Sequence, residues 1–258
     1  MSNAIKRAVN ILHLLSEKGP LNFTQIMRQM NLSKSTTHDL LKTMEDEGLV
    51  WKDHYERRYF LGNQLVKFGN KVQLNSTLIK LAKRPMQELR EAIDETIFLA
   101  VLESDKQVII DSVESTQSLR TSVTLGTKDY LHYTSLGKAM MAFMKEEKVN
   151  AIIKSGRLKR RTENTITDQE DFKKELRKIR QQGYSVDNME HSKWVRCVGA
   201  PILNHAGQVL GAISVSGPPS RLKMENIPEI GRLVKEKAME ISLQLGYRSG
   251  SASRNDIT

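Results

Sequence analysis

Residues Asn22–Gly48 carry the feature that most constrains this chain, two short helical patterns joined by a tight polar turn. Asn22 is placed to cap the first helix, with Gln25 three residues later as its capping-box partner. Apolar residues recur at helical spacing until Asn31 and Leu32 break the pattern. The spacing therefore predicts a first helix of only about two turns, followed closely by another.

The second helix of the pair is unlike an ordinary surface helix. Ser33 is placed to cap it over Lys34–Glu47, and Gly48 stands where a left-handed cap is needed. Its apolar face consists of Thr37, Leu40, Leu41 and Met44. Its other face presents short hydrogen-bonding and cationic side chains, namely Lys34, Ser35, Thr36, His38 and Lys42. Such groups near a helix N-terminus suit the DNA major groove, so we predict a recognition helix that begins at Ser33.

Two short apolar runs follow, Leu49–Lys52 and Arg57–Leu61, which predict a β-hairpin around a four-residue turn. The hairpin carries Lys52, Arg57 and Arg58. Two helices followed by a cationic hairpin are typical of a winged helix-turn-helix, in which wing cations such as Arg57 and Arg58 contact phosphate. An ordinary helical hairpin is the alternative interpretation of the two helices alone.

Composition narrows the class of protein. The chain of 258 residues is long enough for two domains, and its formal net charge of +10 suits an anionic partner. A single cysteine excludes an intrachain disulfide framework and is typical of a reducing cytoplasm. No apolar run approaches the roughly 18–20 residues of a membrane span. We therefore expect a cytoplasmic protein without a membrane anchor.

Helical periodicity surrounds the winged segment. The predicted helices are Asn3–Lys18, a connector over Asn63–Asn75, and Thr77–Ala92 with Pro85 inside it. From Thr96 the pattern changes to apolar, β-branched hairpins alternating with helices. Strands are predicted in Ile97–Glu103, Gln107–Val113, Arg120–Leu125, Cys197–Leu203 and Val209–Ser216, and helices in Ser135–Met144, a stretch ending at Lys154, a segment capped by Asp168 that ends at Gly183, and Ile227–Leu245. This alternation indicates an α+β fold with an antiparallel sheet flanked by helices.

The chain resembles the IclR family of bacterial transcriptional regulators over about residues 4–246. The resemblance rests on LNFTQIMRQMNLSKSTTHDLLKTMEDEGLV and RRYFLG, then on YTSLGKAMMAF, TITD and GYSVDNMEHSKWVRCVGAPILNHAGQVLGAISVSGP. It implies a winged helix-turn-helix, a linker helix and a GAF-like effector domain. The domains expected are residues 1–62 for DNA binding, 63–76 for the linker helix, 77–248 for effector binding and oligomerisation, and 249–258 for a disordered tail.

The recognition helix departs from the family pattern. The family usually has Gly-Leu-Pro before this helix, where the present chain has Asn31, Leu32 and Ser33. It often has arginine where Asp39 stands. Arginine can bind guanine with two hydrogen bonds, whereas aspartate can only accept and repels phosphate. The operator sequence therefore cannot be carried over from relatives.

The family places its small-molecule ligand between a helix and the last hairpin. Carried over residue by residue, the effector contacts are Ser135, Leu136, Asp187, Cys197, Ser214 and Ser216. The start of a helix at Ser135 suits a carboxylate, and residues 214 and 216 face the same side of a strand. We therefore expect a small organic or aromatic acid as the effector. The alternative is that the two serines bond only their own sheet or water.

Asp187, His191 and Cys197 are all of types that ligate metals. Their spacing matches no short metal motif, and a lone cysteine is commonly a small buried hydrophobe. A Cys197 nucleophile with His191 as base has no evident oxyanion partner. The basic run Lys154–Arg161 is interpreted as a solvated loop rather than a second DNA contact.

The sequence therefore predicts a metabolite-responsive DNA-binding regulator, with no catalytic residue, metal or cofactor. Its expected partners are double-stranded operator DNA, the effector acid and a second copy of the chain, because one recognition helix reads too few base pairs to select a promoter. The copies would pair through Asn63–Ala92 as a homodimer or a dimer of dimers. The alternative function is an enzyme or metabolite-binding module with an incidental helix-turn-helix.

Overall fold

The computed structural model describes residues 3–53, 55–75, 77–155 and 158–248, without the side chains of Asn3 and residues 70–75. The chain divides into two compact units, residues 1–76 and 77–258. Among the described residues, no helix combines the length and hydropathy needed to cross a membrane. The tail predicted to be disordered, 249–258, lies outside the described residues.

The first unit is a three-helix core with a small sheet and one further helix. In chain order it contains α1 (Asn3–Lys18), β1 (Leu21–Asn22), α2 (Phe23–Gln29), α3 (Lys34–Asp46), β2 (Val50–Asp53), β3 (Arg58–Leu61) and α4 (Gln64–Asn75). The antiparallel sheet has the order β1-β3-β2, so β1 adds to the predicted hairpin a strand that the sequence did not reveal. Its core combines Ile11 and Leu15 of α1 with Ile26, Leu41 and Tyr59.

The predicted helix ends of this unit are confirmed. Asn22 Oδ1 accepts from Gln25 N and Gln25 Oε1 accepts from Asn22 N, both at 2.9 Å. Ser33 Oγ accepts from Thr36 N at 3.2 Å, and Gly48 has φ +66°. On the inner face of α3, Thr37, Leu41 and Met44 are buried, whereas Leu40 is only half-buried.

Two glycines join the end of α3 to the end of the hairpin. A Cβ built on Gly62 would lie 2.0 Å from the carbonyl oxygen of Gly48, so no side chain fits at position 62. Gly62 N donates to Leu49 O at 2.8 Å, and Gln64 N donates to Gly48 O at 3.2 Å. These backbone contacts, together with the packing of Leu41 and Met44 against Val50 and Tyr59, set the position of α3 relative to the hairpin.

The second unit is a six-stranded antiparallel sheet, within the described part of the chain, with helices on both faces. Its order is β6-β5-β4-β9-β8-β7. The elements are α5 (Thr77–Ile93), β4 (Thr96–Glu103), β5 (Lys106–Val113), β6 (Lys128–Tyr130), α6 (Ser135–Met141), α7 (Glu146–Lys154), α8 (Gln169–Gln182), β7 (Ser185–Asn188), β8 (Arg196–Leu203), β9 (Val209–Gly217) and α9 (Ile227–Gln244). This α+β architecture agrees with the predicted fold class.

The two faces of this sheet have separate apolar cores. On one face α5 and α9 pack against Leu99, Val198 and Val215. On the other, α6 and α8 pack against Phe98 and Ala212. Because strand residues alternate between faces, the even-numbered residues of β9 point toward α6.

Three predictions for this unit were wrong or incomplete. Arg120–Leu125 is not a strand: pairing with β5 begins only after the turn at Gly126, which has φ +86°, and produces β6. The helix from Ser135 ends at Met141 rather than at Met144. The short edge strand β7 was not predicted, because its four residues carry no distinct apolar pattern.

Candidate DNA-binding face and effector site

The outer face of α3 presents a row of exposed polar side chains. Lys34, His38 and Lys42 are spaced by four residues, so they lie above one another along the helix. Ser35 is exposed beside Lys34, and Asp39 is exposed beside His38. His38 Nδ1 lies 3.5 Å from Asp39 Oδ1. The row therefore offers the cations and donors that an interface to DNA bases and phosphates requires, with one carboxylate, that of Asp39, among them.

Hydroxyl groups cluster at the start of this row. Ser33 Oγ lies 2.8 Å from Thr36 Oγ1 and 3.2 Å from Ser35 Oγ. Thr36 is half-buried, so its hydroxyl is less available than that of Ser35.

Asn31 has φ +49° in the turn before the helix, a conformation that asparagine tolerates and glycine adopts freely. Asn31 thus replaces the glycine that the family usually has there.

The wing places its cations at an exposed turn. Asp53 Oδ1 accepts from Tyr55 N and Glu56 N, both at 2.8 Å, which shapes the turn. Arg57 follows with φ +53° and is exposed, and Arg58 lies 3.9 Å from Glu56. Tyr55 is 99% exposed at the tip. Sequence reasoning missed Tyr55, although an aromatic residue in a polar turn was a readable signal.

The carried-over effector residues meet on the face of the sheet that α6 covers. Strand register aligns Asp187 of β7 with Cys197 of β8, and Cys197 with Ser216 of β9. Ser214 precedes Ser216 by two residues on β9 and is paired with Gly199 of β8. A Cβ on Gly199 would approach Ser135 C and O to 3.0 Å, so the glycine lets the start of α6 lie close to the sheet.

Most of these residues are buried and engaged with one another. Cys197 Sγ lies 3.1 Å from Ser216 Oγ, and Ser185 Oγ donates to Ser135 O at 2.6 Å. Asp187, Ser135, Ser214 and Ser216 are each at most 2% exposed, while Cys197 is partly exposed. Leu136 is buried in the apolar core beneath α6. Asp187, Cys197, Ser214 and Ser216 therefore lie on the face of the sheet that α6 covers, and Ser135 lies above them at the start of α6. Leu136 packs in the neighbouring apolar core.

Electrostatics at this face are dominated by a buried ion cluster. Burial raises the pKa of Asp187 to about 6, against the opposing effect of Lys138 and the N–H groups of Glu190 and His191. Burial likewise raises the pKa of Glu190 to about 7. Lys138 of α6 is fully buried, donates to Glu190 Oε1 and to Val186 O, and lies 3.7 Å from Glu175 Oε1. Sequence reasoning missed Lys138 and Glu190 because neither stands out in a helix or loop pattern.

The cysteine and histidine do not form a nucleophile–base pair. His191 Nε2 lies 3.0 Å from Asp129 Oδ2, and Tyr133 donates to the same carboxylate. Cys197 instead contacts Ser216, and burial raises the pKa of its thiol far above neutrality. The structure, over the residues it describes, holds no cluster of three or more His, Cys, Asp or Glu suited to a metal.

The basic run after α7 is not simply a solvated loop in its described part. Lys159 and Arg160 are exposed, but Lys159 O lies 2.9 Å from His132 Nε2. Arg161 Nε donates to His191 O at 2.9 Å, and its guanidinium lies 5.5 Å from the centre of the Tyr133 ring. The end of the run therefore contacts His132, His191 and Tyr133.

Comparison with known proteins identifies both units of the chain. Residues 4–54 match the model of the IclR helix-turn-helix domain, and residues 70–243 match that of the bacterial transcriptional regulator IclR C-terminal domain. The acetate operon repressor of Salmonella typhimurium is 32% identical over 246 residues, which cover 94% of this chain and 90% of the relative.

Solved structures show the same fold. The crystal structure of the Thermotoga maritima IclR protein is 34% identical, with a TM-score of 0.83 over 95% of this chain and 99% of that one. An IclR homologue from Microbacterium hydrocarbonoxydans, solved in complex with 4-hydroxybenzoate, has a TM-score of 0.80 over 94% and 99% of the two chains at 20% identity. The second likeness speaks to the fold alone.

Proposed function

This chain belongs to the IclR family of bacterial transcriptional regulators, and from that premise we propose that it represses transcription in the cytoplasm from a palindromic operator. A DNA-binding regulator, rather than an enzyme, is what the family membership establishes. Repression is favoured because the relative from Salmonella typhimurium, similar over nearly its whole length, is a repressor. A small acid is proposed to change the operator affinity.

We assign DNA contacts to α3 and the wing. Base edges are assigned to Ser35, Thr36 and His38, whose side chains reach the outer face near the start of the helix. Phosphate is assigned to the cations Lys34, Lys42, Arg57 and Arg58. Ser33 is assigned mainly to capping, because its hydroxyl already accepts from Thr36 N. Tyr55 joins the wing contacts by its exposure at the tip.

The effector is assigned to the α6 face of the sheet, and one observation carries this assignment. Asp187, Cys197 and Ser216 form a continuous polar row across three neighbouring strands, beside the Lys138–Glu190 ion pair and next to the apolar core under α6. Buried polar groups are costly unless they have partners or a ligand. A hydroxylated ligand would bond Ser214 and Ser216, with Asp187 accepting from it.

We propose an acid because the backbone N–H groups at the start of α6, at Ser135 and Leu136, favour an anion. The raised pKa of Asp187 limits its repulsion of a second carboxylate near pH 6. The bound 4-hydroxybenzoate of the Microbacterium hydrocarbonoxydans homologue is an acid of this kind. A hundredfold change in operator affinity requires about 2.8 kcal/mol of difference between the two states.

A homodimer, or a dimer of such dimers, is proposed as the operator-binding form. Val66 and Phe68 of α4 are 61% and 51% exposed, which leaves apolar side chains on this helix for a second copy. Two recognition helices would then read half-sites one helical turn or a multiple apart. A monomer in light scattering at micromolar concentration that still binds operator one-to-one would rule this out.

The effector assignment is tested with Ser214→Ala/Ser216→Ala. Calorimetry with 4-hydroxybenzoate and a series of aliphatic hydroxy acids first identifies a ligand that alters binding to a promoter fragment from the chain's own locus. The double variant should then lose at least tenfold in affinity for that ligand and still bind the fragment without it. The matched control, Ser118→Ala/Ser220→Ala, changes two exposed serines. Undiminished affinity in the first variant would place the ligand elsewhere.

A further inference from the structure

A second concave surface lies beyond the β7 edge of the sheet. The cleft has a volume of about 530 Å³, is bounded by α8, β7 and the start of α9, and includes Glu175, Glu190, Tyr184, Val186 and Ile227 in its wall. That volume is within the usual range for small-molecule sites. Val186 lies on the opposite face of β7 from Asp187, so the cleft is separate from the effector row.

One wall of the cleft contains a buried acceptor that has no partner. Glu190 is 4% exposed, and its Oε1 accepts from Lys138. Its Oε2 is buried and has no hydrogen-bond partner among the described residues. A buried carboxylate oxygen without a donor costs free energy that a ligand donor would recover.

The charges around this oxygen are unbalanced. The buried ammonium group of Lys138 forms ion pairs with Glu175 and Glu190. It also lowers the pKa of Asp187 electrostatically. Arg196, the next cation along the sheet, donates instead to Asn188 Oδ1 and to the carbonyls of residues 219 and 222. Lys178 is exposed at the cleft wall, where water screens it. One buried cation, Lys138, therefore faces two buried carboxylates, Asp187 and Glu190, and the partly exposed carboxylate of Glu175.

The opposite part of the wall is apolar. Ile166, Val186, Met224, Ile227 and Pro228 contribute to it, and Met224 is 53% exposed. A ligand for this cleft needs a donor-bearing cation for the Glu175 and Glu190 end and an apolar body for the remainder.

We propose that this cleft binds a small organic amine, with its ammonium group between Glu175 and Glu190 Oε2 and its apolar body against Val186 and Ile227. The site is linked to the effector row, because Glu190 N donates to Asp187 Oδ1 at 2.7 Å and Lys138 belongs to α6. An amine bound there and an acid bound in the effector site would both interact with the charges of Lys138, Asp187 and Glu190. The two ligands are therefore expected to affect each other's affinity.

Benzylamine is the probe ligand. Benzyl alcohol is the neutral control compound of similar size, and benzoate is the anionic one. Titration calorimetry on the full-length protein at pH 7 should show benzylamine binding at least fivefold more tightly than benzyl alcohol. Repeating the titration in buffers of different ionisation enthalpy should reveal proton release, because a nearby ammonium lowers the raised pKa of Glu190. The charged groups that face Glu190 are Lys138, Glu175 and Asp187, with Lys178 at the wall.

Two variants locate the amine. Glu175→Gln should abolish the preference for benzylamine over benzyl alcohol; the Glu175 side chain is 20% exposed, so this change is tolerated better than Glu190→Gln. Lys178→Gln removes a like charge and should tighten benzylamine binding about twofold. Equal binding of amine and alcohol, a preference that survives Glu175→Gln, or weaker binding in Lys178→Gln would each overturn the proposal.

The test also separates this site from the effector site. Ser214→Ala/Ser216→Ala removes no charge and should leave benzylamine affinity unchanged, while Glu175→Gln should still allow benzoate to bind. If the serine variant abolished amine binding, the amine would occupy the effector site and the proposed second site would be wrong. The effector assignment itself is tested by the acid, so either proposal can fail without the other.

Discussion

The outer face of α3 and the α6 face of the sheet both use polar side chains, in opposite surroundings. On α3, Lys34, His38 and Lys42 are exposed to water. Beneath α6, Lys138, Asp187 and Glu190 are each at most 4% exposed and contact one another. Changing an exposed side chain of the first kind leaves the fold intact, whereas changing one of the second kind leaves charges buried without partners.

The largest expected effect follows from removing the buried cation. Lys138→Met leaves Glu190 and Glu175 without their ammonium partner and should lower the free energy of unfolding of the second unit by about 3–5 kcal/mol. Urea denaturation followed by circular dichroism measures it. On α3, the matched Lys34→Met should change the free energy of unfolding by no more than about 0.5 kcal/mol. If the two variants were equally stable, the contrast between the faces would not hold.

The pH dependence of stability sharpens the same contrast. Burial raises the folded-state pKa of Glu190 to about 7. The stability that this raised pKa contributes to the folded state is fully present below the unfolded-state pKa and is lost as the pH rises toward 8. Between pH 5 and pH 8 the wild type should lose on the order of 2 kcal/mol more than Glu190→Gln. Buried His132, whose pKa is lowered, acts in the opposite direction but is present in both proteins. Parallel pH profiles of the two proteins would contradict the prediction.

Exposed residues should instead affect DNA binding. His38→Ala is expected to cost about 1–3 kcal/mol on the cognate operator and little on unrelated DNA. Lys34→Ala and Arg57→Ala should weaken binding to all sequences and reduce the salt slope by about one unit each. Thr36→Ala should cost less than His38→Ala, because Thr36 is half-buried and bonded to Ser33. Fluorescence anisotropy over a salt series measures these effects, and equal losses on all DNA for every variant would mean that α3 is not the reading element.

The smallest effect concerns a cap on the exposed face. Ser33→Ala removes the acceptor for Thr36 N and should destabilise the first unit by about 1 kcal/mol. Ser35→Ala, two residues along and also exposed, should change stability by less than half of that. Thermal denaturation of the two variants side by side gives the comparison. A larger loss from Ser35→Ala would reverse the assigned roles.

The same contrast explains what could be predicted from the sequence. Caps such as Asn22, Ser33 and Asp168 act within four residues, so local patterns were sufficient to place helix ends. The row from Asp187 to Ser216 depends on the register of three strands, which no local pattern contains; only the family resemblance grouped those residues. Lys138 looked like a surface cation of a helix, because its partner Glu190 lies 52 residues away. Arg120–Leu125 has strand composition, but side-chain bonds at Thr121 hold it instead.

The contact between Gly48 and Gly62 has a consequence for how such a protein can diverge. Because these backbone contacts and the buried inner face of α3 set the helix against the hairpin, the exposed residues beyond the Ser33 cap contribute little to holding the helix in place. Mutations there can accumulate through neutral drift and select new promoters one base pair at a time, while the docking angle is inherited unchanged. A duplicated gene could acquire a new set of targets without passing through an unfolded ancestor, provided that both glycines are retained.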